Sequence, residues 1–497
     1  MTFRMKTWLR FAFFWLLVVF VKCDSVIGSQ QGITPSEFYR KFQPSDLEED
    51  INFLFQTLEA VHPNLYAYTP ESLITWEREK LDNEITLSLT RIDFFCKIAP
   101  LVANLNDAHT CIYPPEEEFG HYLGEGGLLF PFELTFRGGK AFIAANYSAD
   151  SGITVGSELC SINGVPITDI EDSLLLYVSG ETTRYKTANL EYYFQDMLWY
   201  VYRFEPPFYV EFILGSTSNH HKRKITGVTR QNIGTERGII TKTGKQIPYT
   251  YTSLPGEKIG LIEVYSFFAD PELFHSFLER SLTQIHKDSI KILIVDIRKN
   301  GGGNTMIGDE LLRRIANKPF AQTSKEKIRV SKQIKEYFQN QQSLWRKRFP
   351  LYGSTIETLF KAISSAPEDS VLVFNTELEK PVEKPPRFDG EFYVLIGPYT
   401  FSSAVSFISA VKDYELGTLI GEETGGLATS YGEEYSFRLP NTQLKVGVSY
   451  RHFVRPSGVD NGRGVLPDYE IKQSIEDLKK GVDTILDFTK KLIKSKR

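Results

Sequence analysis

Apolar residues recur at three- and four-residue steps through Leu47, Ile51, Leu54, Phe55, Leu58 and Val61, which predicts an amphipathic helix stopped by His62–Pro63. Further helices are predicted over Pro70–Ile85 and from about Arg91 to Leu105. From about Gly124 to Val228 the pattern turns to strands and glycine turns. Leu128–Leu134 and Lys140–Ala145 read as paired strands around Gly138–Gly139, and Asn163–Gly164 is a hairpin-turn signal. From about Lys258 short apolar runs alternate with helical stretches: a strand Ile259–Tyr265, a helix Pro271–Ile285, a buried strand Lys291–Ile297 and a helix Thr305–Ala316. Residues 319–388 are less regular and highly charged, and read as an insertion forming a lid or partner surface. Beyond them come an apolar strand Phe392–Ile396, a helix starting near Ser403, strands at Thr418–Ile420, Glu434–Leu439 and Gln443–Tyr450, and an amphipathic helix from Ser474 to Lys494. This pattern predicts an α/β fold (α+β overall) with a helical N-terminal domain, a β-rich middle domain and a C-terminal α/β core.

Two strand-to-helix turns carry candidate chemistry. The first follows the strand over residues 392–396 and holds Thr400, Ser402 and Ser403. A serine there meets backbone N–H groups able to stabilise a developing oxyanion, so Ser402 is a candidate nucleophile; the competing reading is that Thr400 and Ser402 only cap the helix. The second turn is Asn300–Gly301–Gly302–Gly303–Asn304, where glycine lets backbone approach a ligand closely. It lacks both G-x-G-x-x-G and the lysine of a phosphate loop, which argues against a nucleotide site. No G-x-S-x-G elbow occurs, so an α/β-hydrolase esterase is disfavoured.

The 497 residues are 41% hydrophobic with a formal net charge of -5, enough to bury several cores and without a basic footprint for nucleic acid. Arg4, Lys6 and Arg10 precede an apolar run from Phe11 to Val21, the pattern of a secretory signal too short for a comfortable membrane span. The expectation is an exported protein that touches membrane only if this signal stays uncleaved. Cys96, Cys111 and Cys160 remain after cleavage and allow at most one intramolecular disulfide. No histidine pair has metal spacing, and neither metal nor cofactor is predicted.

Asp296-x-Arg298-x-Asn300-x-Gly302-Gly303, Thr400-x-Ser402-Ser403-Ala404, Gly421-Glu422-x-Thr424 and Gly464-Val465-x-Pro467-Asp468 occur in one order. That series resembles the C-terminal processing (tail-specific) serine peptidases, nearest to the branch of the tricorn core and the interphotoreceptor retinoid-binding protein repeats. Gly156-x-x-Leu159-x-x-Ile162-Asn163-Gly164 resembles the PDZ domain, which binds extended peptide at a sheet edge. The residue pattern sets a signal at 1–29, a helical domain at 30–110 and a helix at 474–497; the resemblance implies a PDZ-like domain and linker at 111–254 and a catalytic core of the crotonase-like ClpP type at 255–473 with its insertion at about 319–388. It implies Ser402 as nucleophile and an oxyanion hole from Ser403 and the Gly301–Gly302 turn. The lysine of the bacterial Ser–Lys enzymes is replaced by Leu427, so another base is required. His109, in Asp107-Ala-His-Thr110, falls on the catalytic histidine of the tricorn-like branch, and His452 lies on a strand that could pass near the site. The branch's third residue, a glutamate, falls on Asn461; Asp460 beside it, Glu422 and Glu423 are alternatives. The expected substrate is a protein or peptide; a peptide- or ligand-binding protein that does not cleave is the alternative.

Overall fold

The computed structural model describes residues 2–5, 38–215, 219–234, 239–240, 246–254, 256–348 and 353–496. Residues 6–29 of the expected signal lie outside these, while Thr2–Met5 forms a strand parallel to Val371–Thr376. The C-terminal core is built on a six-stranded sheet ordered Tyr249–Leu254, Ile259–Val264, Ile292–Asp296, Glu391–Ile396, Thr418–Gly421, Tyr469–Glu470. Its first pair is antiparallel and the others parallel. Both faces are covered, which is why these strands read as continuous apolar runs. Ile262, Val264, Leu293 and Val295 pack beneath the helices Pro271–Lys287, Thr305–Ile315 and Ser403–Asp413. Leu261, Ile292, Ile294 and Leu395 face the other way, onto Ile485 and Ile493 of the last helix, Thr484–Ser495. The C-terminal segment is thus two helices rather than one: Ile475–Lys479 is separated from it by Gly481, whose φ of 66° breaks the run.

The stretch read as an irregular insertion is regular and structural. Lys325–Arg329 and Val371–Thr376 are paired strands, and Lys325–Arg329 also pairs with Lys445–Val454, so the segment completes a second sheet instead of forming a lid. Ile328, Val330 and Ile334 share one core with Leu47, Ile51, Leu54 and Phe55 of the helix Pro44–Val61 and with Val446 and Val448. The helical N-terminal region is therefore not a body of its own; it packs onto this sheet.

The middle region forms a third sheet, in the order Phe132–Arg137, Lys140–Asn146, Glu158–Ile162, Phe208–Ile213, His220–Ile225. The hairpin at Asn163–Gly164 joins Glu158–Ile162 to Val165–Pro166, whereas the first strand lies nearer Gly138 than predicted, at Phe132–Arg137. Two helices that the strand-and-turn reading missed lie against this sheet, Ile167–Leu175 and Thr183–Tyr202. The longer one starts at Thr182, whose hydroxyl accepts the Tyr185 N–H, and stops at Arg203 in the left-handed region with φ 55°. Cys96, Cys111 and Cys160 are free thiols.

Candidate active site

The apolar strand Glu391–Ile396 delivers the chain to a turn that is pinned on both sides. Thr400 Oγ1 accepts the Gly397 N–H at 3.1 Å and donates to the Ile297 carbonyl at 3.1 Å. The Phe401 N–H donates to the Asn300 carbonyl at 3.1 Å, tying this turn to the glycine turn. Ser402 follows with φ 54° and ψ -128°, a conformation few non-glycine residues adopt, and its side chain makes no capping hydrogen bond. The helix does begin at Ser403, but neither hydroxyl caps it: Thr400 is spent on the turn and Ser402 points elsewhere.

Ser402 Oγ lies 3.1 Å from His109 Nε2, across 293 residues of chain. His109 is held by its surroundings. Its ring stacks on Phe401 at 4.6 Å between centroids, and Phe401 stacks in turn on Tyr185 at 4.4 Å. Gly432 lies against the ring, where an added Cβ would stand 3.3 Å from Cε1 and 3.4 Å from Nδ1. Burial depresses the His109 pKa below its ordinary value, opposed by the negative charge of Asp107 and by the Tyr431 carbonyl. Nδ1 is buried and makes no hydrogen bond of ordinary geometry.

The glycine turn sits directly against the serine. A Cβ on Gly302, at φ 101°, would fall 2.7 Å from Ser402 Cβ and 3.2 Å from Ser403 N. The Gly302 N–H itself is committed to Asn300 Oδ1 at 2.9 Å, with Asn300 Nδ2 anchored on the Val264 carbonyl at 3.1 Å. Gly302 therefore does not offer its N–H to an oxyanion. Gly301 and Gly303 line the cavity, and among the described residues neither they nor Ser403 donate a backbone N–H to a protein acceptor.

The sequence candidates for a third residue are not joined to His109, and Glu423 pairs instead with Arg184 at 3.0 Å and Arg463 at 2.8 Å. Asn461 is exposed and Oδ1 accepts the Arg463 N–H at 3.2 Å; Asp460 is exposed and accepts the Gly462 N–H at 3.3 Å. Glu422 lines the cavity, with its carboxyl raised by burial. His452 packs on Tyr431 at 4.7 Å, its pKa pushed down to about 4 by burial and Lys327.

What the residue-by-residue reading missed is a buried cluster behind His109. Asp107 Oδ2 accepts from His62 Nε2 at 3.1 Å and from Thr110 Oγ1 at 2.5 Å, while Oδ1 accepts the His109 N–H at 3.3 Å. Burial alone would raise the Asp107 carboxyl, but chiefly the His62 hydrogen bond holds it well below the usual carboxylate range. The available signal was Asp107 within its Asp-x-His motif; His62 read only as a helix stop. Glu181, also beside this loop, accepts the Ala108 N–H at 3.4 Å and has its pKa raised to about 8 by burial and by Asp107.

The cavity in front of Ser402 has a volume of about 1500 Å³ and lies between the three sheets, with Tyr185, Tyr192, Tyr399 and Phe268 among its walls. A hydroxyl bonded to imidazole Nε2, at a turn presenting uncommitted N–H groups, is the arrangement of a serine hydrolase. Residues 258–471 match the model of Peptidase family S41. The chain carries a Peptidase family S41 domain and is a serine-type peptidase. Among solved structures it is similar in fold to mature CPAF complexed with lactacystin, with 15% identity, a TM-score of 0.64, and coverage of 90% of this chain and 98% of that one. A second structure of mature CPAF gives 16% identity, a TM-score of 0.63, and 90% and 97% coverage. The photosystem II D1 C-terminal processing protease aligns over 90% and 97% of the two chains at 16% identity, with a TM-score of 0.45. No curated protein matches the chain in sequence.

Proposed function

We propose that the protein is an exported serine endopeptidase in which Ser402 is the nucleophile and His109 the general base. The observation that carries this reading is the 3.1 Å contact between Ser402 Oγ and His109 Nε2 at a pinned, strained turn. As Oγ attacks a peptide carbonyl carbon, Nε2 takes its proton, and the C=O π pair moves to oxygen to give the tetrahedral oxyanion. The Ser403 N–H and an N–H from Gly301 or Gly303 stabilise that charge. Collapse expels the amine, which takes the proton back from Nε2, and water then hydrolyses the acyl-enzyme by the same route. Burial helps by keeping the imidazole neutral, and so able to accept a proton, below the ordinary histidine range. The sheet containing the Asn163–Gly164 hairpin is read as PDZ-like, holding an extended segment of substrate beside the cavity. Export rests on Arg4, Lys6 and Arg10 ahead of the apolar run to Val21. A binding-only role has no observation in its favour.

The test is cleavage of a fluorescein-labelled unfolded protein by wild type and Ser402→Ala side by side. Cleavage by wild type with loss of at least a thousandfold in the variant, at unchanged melting temperature, is the expected result. Equal rates would remove Ser402 from the mechanism.

A further inference from the structure

A histidine that takes a proton in a buried site needs a negative charge nearby, and here none of Asn461, Asp460 or Glu422 is bonded to it. We propose that Asp107, kept anionic by a neutral His62, is the positioning residue that supplies this counter-charge. The proposal rests on His109 being the base.

The protonation of the pair follows from its hydrogen bonds. The Asn64 N–H donates to His62 Nδ1 at 3.0 Å, so Nδ1 must carry a lone pair and no proton. The neutral ring then bears its proton on Nε2, which donates to Asp107 Oδ2 at 3.1 Å. A neutral donor stabilises a carboxylate without cancelling its charge. Thr110 Oγ1 and the His109 N–H add donors from the same loop, so the anion is satisfied although it is almost wholly buried. The net charge of the His62–Asp107 pair is therefore -1, two residues from the base and in a medium of low dielectric.

The neighbouring groups leave that charge dominant. Glu181 faces the same loop with its carboxyl raised by burial and by Asp107, and Lys186 Nζ is turned to Asn106 Oδ1 at 2.8 Å. Tyr68 and Tyr431 are neutral phenols raised by burial. Asp460 acts on His452 and the two tyrosines from an exposed position, and His452 is neutral. His62 and His109 flank one strand segment, with His62 packed on Tyr431 at 4.8 Å and His109 against Gly432. Asp107 sits in the loop that holds them together.

The experiment follows the His109 ring resonance by NMR against pH in full-length Ser402→Ala protein, with and without Asp107→Asn. Loss of the charge should lower the His109 midpoint by about one unit, while Asp460→Asn moves it by less than half as much. In the active protein the acid limb of kcat/KM should move down equally and the plateau fall about tenfold. A merely structural role would change the plateau and leave the midpoint alone, and an unmoved midpoint overturns the proposal. Should Asp107→Asn fail to fold, the ring ¹⁵N shifts of His62 in Ser402→Ala decide the matter. A neutral Nε2-protonated ring across the His109 titration supports the assignment, and a cationic His62 there overturns it. Because the titration needs no turnover, these outcomes stand apart from the cleavage test of Ser402.

Discussion

Gly432→Ala tests whether the position of the His109 ring sets the rate. The ring stacks on Phe401, at 4.6 Å between centroids, and touches Gly432, where a new Cβ would lie 3.3–3.4 Å from the ring and from Phe453. A methyl at that distance makes its neighbour give by a few tenths of an ångström. The ring cannot retreat freely, because Phe401 is backed by Tyr185 at 4.4 Å. The slack must come from the His109–Ser402 contact, now 3.1 Å and at the edge of good geometry. Since displacement of a reacting group by 1 Å costs about a hundredfold, we expect kcat to fall about tenfold, or ~1.4 kcal/mol. The fold should lose about 1 kcal/mol from overpacking. The assay is steady-state cleavage of a fluorogenic peptide, with the rate of fluorophosphonate labelling of Ser402 as a second readout. Adding Phe401→Leu should make room for the ring and return part of the lost rate, a coupling measurable as a double-mutant cycle. A kcat within twofold of wild type, or strictly additive effects of the two changes, would refute the confinement argument.

Two other substitutions probe groups around the site. Glu181 has a folded pKa of about 8 against an ordinary 4.5, so the folded state holds its proton more tightly than the unfolded state does. Its stabilising effect is fully present below about 4.5 and is lost as pH rises towards 8; Glu181→Gln should therefore gain on wild type above pH 8 by up to about 5 kcal/mol, seen as a melting-temperature gap at pH 9 that is absent at pH 4, and a gap equal at both values would exclude the shifted carboxyl. Asp483 caps the last helix through Ile485 N and Leu486 N and receives Arg298 through both oxygens; Asp483→Ala should cost about 2 kcal/mol in chemical denaturation, and a loss under 0.5 kcal/mol would mean that the Asp296 pairing alone holds Arg298.

The parallel sheet was legible because both of its faces are buried, so each strand appears as an unbroken apolar run ending at a glycine or a cap. Ser402 was legible for the same reason: the turn after such a run is where a fold of this type exposes backbone donors. The helix Thr183–Tyr202 was not legible. It is crowded with tyrosines, which favour strands as readily as helices, and several of them face the cavity, so no single apolar stripe emerges. The strand Lys325–Arg329 was hidden differently. Its sequence, KEKIR, looks like solvated surface, yet Glu326 is buried and paired with Arg451 at 2.8 Å. Ion pairing replaces apolar contact there, and hydropathy is blind to the exchange.

The same blindness explains why Ser402 and His109 could be joined beforehand only through resemblance. No spacing rule spans 293 residues; their distance is set by how the second sheet meets the first. The His109 loop is docked on the strand Lys445–Val454 by the Cys111–Ile112 pairing and by Thr110 Oγ1, which accepts the Ser449 N–H at 3.2 Å. That strand is flanked on one side by Ser430–Arg438, which brings Gly432 to the ring, and on the other by Lys325–Arg329 from the supposed insertion. Arg451, on the central strand, ties both neighbours together through Glu326 and Glu433 at 2.8 Å each. A charged segment that read as an insertion thus fixes the platform on which the candidate base stands. The distance between base and nucleophile is consequently a property of the packed sheets rather than of either motif.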